Sequence, residues 1–243
     1  MKSKLLFLAV ASIFLASCAN SNVQENNTLS DSIKIQYYDG QLLNTTEENK
    51  DEKEKVLVLD IRSTSDYQKG HVKFAINAPK QLFPSFLSFI NNSKEKDIVL
   101  YGKTTEEAKA VANEFKDDFK DKNVFYAQGY NEFDYNKYQQ FNVRCDYIKI
   151  ASLTNNYVIA DARSQEDFAN LHLNNAINVP NADLKPEHIQ QLKKATNNGQ
   201  KPIITHCYRG NNANILAQKL LKAGFTKVSA AIDGTKECDL LSK

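Results

Sequence analysis

Val56-Leu57-Val58-Leu59-Asp60-Ile61-Arg62 is an unbroken apolar run closed by an Asp-x-Arg triplet, with His71, Ala75, Asn77 and Pro79 after it. The pattern returns 101 positions later as Asp161-Ala162-Arg163, then His172, Ala176, Asn178 and Pro180. Four consecutive apolar residues ahead of a turn read as a strand buried on both faces, as in a parallel sheet between helix layers. A pattern repeated at constant offset reads as two small domains of one architecture. A chain of 243 residues is long enough for each to bury its own core.

Working outward, strand and helix signals alternate in both halves, which predicts an α/β fold with parallel sheets flanked by helices. In the first half, strands are expected over 33–37, 56–59, 74–77, 98–101 and 124–127. Helices are expected over 63–69, 82–90 (with Pro84 in the first turn) and 105–119, and a last helix opens at Gly129. The charged stretch 44–55 reads as a solvated loop. In the second half, strands are expected over 147–150, 157–160, 176–179, 202–206 and 228–232. Helices are expected over 165–170, 186–195 and 212–223, the last ended by Gly224. A break near 138–146 gives domains over 33–140 and 144–243.

The N-terminus reads as an export signal. Lys2 and Lys4 precede an apolar run over 5–16, too short to cross a bilayer, which takes about 20 residues. Leu15-Ala16-Ser17-Cys18 resembles the lipobox of bacterial lipoprotein signal peptides. The resemblance implies removal of 1–17, lipid on Cys18, a membrane anchor, and residence in the cell envelope on the periplasmic or outer-membrane side. The polar residues 18–32 then read as a flexible tether. Set aside the first seventeen residues and 29 basic residues face 29 acidic ones, so no electrostatic case exists for nucleic acid. Of the remaining cysteines, Cys145 and Cys238 either bridge or pack as small apolar side chains, and packing is the favoured reading.

Ile203-Ile204-Thr205-His206-Cys207-Tyr208-Arg209-Gly210-Asn211-Asn212 runs from strand through loop into helix. Ligands of open α/β sheets bind at the carboxyl ends of strands, where helix N-termini present free N–H groups. A thiol there gains amide donors. A fall in its pKa from about 8.5 to about 6.5 would raise the thiolate fraction at pH 7 from about 3% to about 75%. Arg209 adds charge and a grip for an anionic substrate, and Gly210 lets the loop turn. The first half has Gly102-Lys103-Thr104-Thr105-Glu106-Glu107 at the same junction, without sulfur and with two carboxylates where an anion would sit. Gly102-Lys103-Thr104 is no nucleotide loop, since position 97 is Asp where that motif needs glycine. A Cys-dependent phosphatase needs an Arg at the end of the loop, and Asn212-Ala213 stands there. Asp161 and Arg163, like Asp60 and Arg62, read as supports of the loop after the strand. His71 and His172 read the same way, and His206 reads as packing on the face opposite the thiol. No cluster has metal-ligand spacing, and no cofactor is implied.

Together these residues resemble the rhodanese family of sulfurtransferases: the paired Asp-x-Arg, His and Ala-x-Asn-x-Pro motifs, and a six-residue loop from Cys207 to Asn212. The resemblance covers nearly all of the chain after the tether. It implies two tandem rhodanese-like domains, the first inactive and the second active. Cys207 would form a persulfide, with Tyr208, Arg209, Gly210, Asn211 and Asn212 forming the substrate loop. It also implies a small sulfur-containing anion as donor, a thiophilic acceptor, thiosulfate sulfurtransferase chemistry and a monomer. Two other classes compete. One is a non-catalytic rhodanese-like binding module at the cell surface, and the other is thiol redox work through Cys207 and Cys238.

Overall fold

A computed structural model describes residues 34–49, 51–235 and 240–241. The expected signal segment 1–17, the expected lipidation site Cys18, the expected tether and Cys238 lie outside the described residues.

Each half builds a five-stranded, wholly parallel sheet. The first contains β1 (Gln36–Tyr38), β2 (Val56–Asp60), β3 (Ile76–Asn77), β4 (Asp97–Tyr101) and β5 (Asn123–Ala127), in the order β1-β5-β4-β2-β3. Its helices are α1 (Gly40–Glu48), α2 (Thr64–Lys69), α3 (Phe83–Asn92) and α4 (Thr105–Glu114). The second sheet contains β6 (Phe141–Val143), β7 (Val158–Asp161), β8 (Ala176–Asn178), β9 (Ile203–His206) and β10 (Val228–Ala231), in the order β6-β10-β9-β7-β8. Its helices are α5 (Cys145–Ser152), α6 (Gln165–Asn170), α7 (Pro186–Ala195) and α8 (Asn211–Lys222). The orders are equivalent, and both sheets belong to one compact unit. Alternate residues of each central strand feed opposite layers, as the twofold strand period requires. Ile203 and Cys207 pack under α8 with Leu216 and Leu220, while Ile204 packs under α5 with Ile148 and Ala151. Among the described residues no helix is long and apolar enough to cross a membrane.

Four sequence expectations change. The stretch 44–55 is not a loop. It carries the end of α1, capped by Asp39 onto the amides of Gln41 and Leu42, and then a 3-10 turn, Lys53–Lys55. Leu43 anchors α1 in the core, and Glu47 and Lys53 are buried although their sequence context reads as solvated. The stretch 147–150 is not a strand. It lies inside α5, whose buried Cys145, Ile148 and Ala151 recur every third residue while Tyr147 and Ile150 face outward. The edge strand β6 precedes it. No helix opens at Gly129; Tyr130 instead stacks on Tyr101, and the Tyr135 ring packs tilted against it. Cys145 is disulfide-bonded, which overturns its reading as a packing residue.

The contact between the halves is polar. Asn142 on β6 donates to the carbonyls of Lys73 (2.8 Å) and Ala75 (2.9 Å) in the first half. Gln140 donates to Asn214 on α8 at 2.9 Å. Lys53 reaches across to the Ile232 carbonyl at 2.8 Å, and Arg144 bridges Glu95 and Asp233. Buried donors that all find acceptors fix the register of two surfaces more tightly than apolar contact does.

Candidate active site

Strand β9 lies in the middle of its sheet, and Cys207 is the first residue beyond it. The chain turns at Gly210, whose φ of 79° places it in the left-handed region, and enters α8. This turn folds the loop amides over the sulfur. The Ala213 N–H reaches Sγ at 3.4 Å, and the N–H groups of Arg209, Gly210 and Asn212 also donate to it. Thr205 ties the first turn of α8 to the strand by donating to the Ala213 carbonyl at 2.7 Å. Behind the loop runs the segment after β10. Thr235 donates its N–H (2.9 Å) and hydroxyl (3.2 Å) to the Cys207 carbonyl. A Cβ on Gly234 would fall 1.3 Å from the Tyr208 carbonyl oxygen, so only glycine lets the two backbones lie this close.

The Cys207 side chain is largely buried, and burial pushes its pKa up; the four amides pull it back without cancelling that rise. The expectation of a thiol held ionised at rest is therefore corrected. The amide cup is present, but withdrawal from water outweighs it. The sulfur still lines a pocket of about 340 Å³, together with Arg163, Asp167, Pro180, Tyr208 and Asn211.

Asp161 and Arg163 form a buried fork, with Arg163 Nε 2.9 Å and Nη2 2.5 Å from the carboxylate and Nη2 2.7 Å from the Leu171 carbonyl. Asp60, Arg62 and Gly70 repeat this arrangement in the first half, so it is a support common to both. Arg163 differs in one respect: its Nη1 is buried with no hydrogen-bond partner, on a residue that lines the pocket. Asn211 Nδ2 is likewise unpartnered. Both residues line the pocket that Cys207 lines. Tyr208 lays its ring over the Arg163 guanidinium at 4.6 Å and donates its hydroxyl to Asp167 at 3.1 Å. Asn212 is exposed at the rim. His206 is buried against Asp161 at 3.6 Å on the face away from Sγ. Burial pulls its pKa down to about 4, so it is neutral and no base for the thiol. His71 and His172 stack on Tyr67 and Phe168 and bond the carbonyls of those residues.

Arg209 is not placed as the sequence suggests. It turns from the second half to the first, where Nη2 meets Asp51 at 2.5 Å and Nε meets Glu54 at 2.6 Å. The cation expected to grip an anionic substrate is held by two carboxylates. No sequence motif marks Asp51 or Glu54 for this task. Asp167 had a readable signal, since it sits four residues after Arg163 at the start of a predicted helix.

At the equivalent junction of the first half, the space is filled from within. Glu107 accepts the Lys103 N–H at 2.7 Å, and a Cβ on Gly102 would sit 2.7 Å from that same carboxylate oxygen. Glu132 takes the Thr105 N–H at 2.8 Å. Carboxylates thus occupy the helix N-terminus that the second half keeps for sulfur. Among the described residues no group of three His, Cys, Asp or Glu side chains is placed to hold a metal ion.

A family model described as a rhodanese-like domain matches this chain twice, over residues 44–136 and 148–238. The thiosulfate sulfurtransferase GlpE of Coxiella burnetii is 34% identical over 77 residues, which are 32% of this chain and 66% of that protein. GlpE of Tolumonas auensis is 34% identical over 76 residues, 31% of this chain and 65% of that protein. The chain thus spans just under two thirds of the length of these curated relatives. A thiosulfate sulfurtransferase structure from Pseudomonas aeruginosa is 18% identical, covering 84% of this chain and 42% of that one at a TM-score of 0.36. The wild-type structure of EanB is 18% identical, covering 75% and 52% at a TM-score of 0.35.

Proposed function

From the premise that this chain belongs to the rhodanese family, as a tandem pair of rhodanese-like domains, we propose a sulfurtransferase that works through a Cys207 persulfide. The supporting observation is the convergence of four loop amides on the one sulfur that lines the second-half pocket, in a protein whose other half has closed the same cradle with Glu107.

In the first half-reaction the Cys207 thiolate attacks the outer sulfur of the donor. The donor's S–S bond breaks, its electron pair leaves with the remainder, and the outer sulfur stays on Sγ. In the second, an acceptor thiolate or cyanide attacks that sulfur and Cys207 leaves as thiolate. Nucleophilic catalysis in two such steps gives ping-pong kinetics. The amides serve both half-reactions, because each begins or ends with negative charge on a sulfur inside the cup. Asp161 and Arg163 hold the loop after β7 that walls the pocket. Intact mass spectrometry after polysulfide treatment tests this reading. One added sulfur on Cys207, removable by cyanide and absent in Cys207→Ser, is expected. A protein that takes no sulfur yet binds a partner in a Cys207-independent way is a binding module instead.

The protein is further placed at the cell envelope, anchored by lipid on Cys18 after removal of 1–17. Lys2, Lys4, the apolar run over 5–16 and the Leu15-Ala16-Ser17-Cys18 sequence support this. Incorporation of labelled palmitate that is lost in Cys18→Ser tests it, and equal labelling of the variant refutes it.

A further inference from the structure

The charge around Cys207 bears on the donor. Two cations line the pocket, Arg163 and Arg209, and both are already matched, by Asp161 and by Asp51 with Glu54. Asp167 is a third side chain of the wall, held there by the Tyr208 hydroxyl and by Ser164 at the start of α6. Counted with their partners, these groups leave the pocket with excess negative charge. Asn211, whose Nδ2 is buried without a partner, adds a neutral donor to the lining, and both lining cations are matched by carboxylates. The pocket of the first half, without a thiol, is lined by Arg62, Lys69, Lys103 and Lys137 together with Asp66, and these cations pair with Asp60, Asp66 and Asp134. Counted in the same way, four cations against three carboxylates leave a small positive excess there, so the positive excess and the nucleophile lie in different halves.

Resting on the sulfurtransferase reading above, we propose that the donor is an organic persulfide, R–S–SH, whose carbon side is neutral or cationic, and that the thiol-less half sets this preference by holding Arg209 through Asp51 and Glu54. The transfer balances without a further reactant. The Cys207 thiolate attacks the outer sulfur, the S–S bond of R–S–SH breaks, and the products are the Cys207 persulfide and R–S⁻, which takes up a proton from water. Thiosulfate would instead bring two negative charges to a mouth carrying Asp167. At a separation of about 6 Å in a medium close to water, one carboxylate disfavours a dianion by roughly tenfold.

The test is a matched donor series on the full chain: 2-aminoethyl, 2-hydroxyethyl and 2-sulfonatoethyl persulfides, with thiosulfate as the dianion. Cys207 persulfide formation is followed by rapid-quench mass spectrometry. The expected order is aminoethyl, hydroxyethyl, sulfonatoethyl, thiosulfate. Asp167→Asn should raise the thiosulfate-to-hydroxyethyl rate ratio about tenfold. The Asp51→Asn/Glu54→Gln double variant should raise it as well by removing the two negative charges that pair with Arg209, and added salt should narrow both gaps. A wild-type protein that loads fastest from thiosulfate, or a ratio indifferent to both variants, overturns the donor assignment and leaves the sulfurtransferase reading standing. Failure of every donor to load Cys207 removes the sulfurtransferase reading itself, and this proposal with it.

Discussion

Replacing Gly210 by alanine tests whether the amide cup is a fixed feature of the fold. The residue has φ of 79°, where an L-residue costs roughly 1–2 kcal/mol. The added Cβ would lie 2.0 Å from the Ile232 carbonyl oxygen and 2.6 Å from its carbon. An ordinary contact needs roughly 1 Å more, and neither neighbour is a side chain that can rotate away. The Ile232 carbonyl is also the acceptor of Lys53 Nζ at 2.8 Å. Displacing it strains a buried, charge-assisted hydrogen bond worth roughly 1.5–3 kcal/mol. Partial relaxation leaves an expected loss near 3 kcal/mol, or about 6–12 °C in Tm for a chain of this size. The function should suffer more. A shift of about 1 Å in the loop takes the 209 and 210 amides off the sulfur, and loss of one such donor costs about 10²-fold in rate. Thermal melting and rapid-quench persulfide loading of Gly210→Ala measure the two effects. A variant that melts within 2 °C of wild type, roughly the effect of half a kcal/mol, and loads at the same rate refutes the steric argument.

Burial raises the Cys207 pKa, so the resting thiol holds fewer than the about 3% thiolate of an unperturbed cysteine at pH 7. Loading from thiosulfate, whose own charge does not change in this range, should therefore climb steadily from pH 7 to 9, and a plateau below pH 7.5 contradicts it. Glu47 is raised to about 8 by burial, so its folded form keeps a proton that the unfolded chain has lost. Stability should fall by roughly 2 kcal/mol between pH 6.5 and 8, and Glu47→Gln should remove that slope in urea titrations. His206 and His71 have the opposite sign: burial lowers them to about 4 and about 3, so the unfolded chain binds protons first. Their contribution is complete above pH 6.5 and is lost as pH falls through 4, by roughly 3 kcal/mol for His206. A His206→Gln variant with an unchanged acid limb would refute that assignment. Gly102→Cys should take no second sulfur, because the Glu107 carboxylate fills the cradle, and a mass shift of two sulfurs would contradict this.

The repeat, the apolar strand runs and the turn residues were sufficient to read two parallel α/β units. Those signals are local: a strand buried on both faces has to be apolar, and a sharp strand-to-helix turn has to carry glycine or a small polar residue. The helix boundaries of α6 and α7 were legible for the same reason. The reading failed where local pattern is ambiguous, as in α5, whose alternating Tyr147, Ile148, Lys149 and Ile150 satisfy a strand period as well as a helix face. It fails again at 44–55, where Glu47 and Lys53 are buried against partners distant in sequence, the Phe74 N–H in the same half and the Ile232 carbonyl in the other. Chemistry divided along the same line. That a single thiol sits in a strand-to-helix loop is a property of the sequence. That its proton is held more tightly than in water, that Arg209 is claimed by Asp51 and Glu54, and that Glu107 plugs the other cradle are consequences of tertiary structure. Burial and long-range pairing depend on what folds over a residue, and residues 155 positions apart in the chain carry no mark of their meeting.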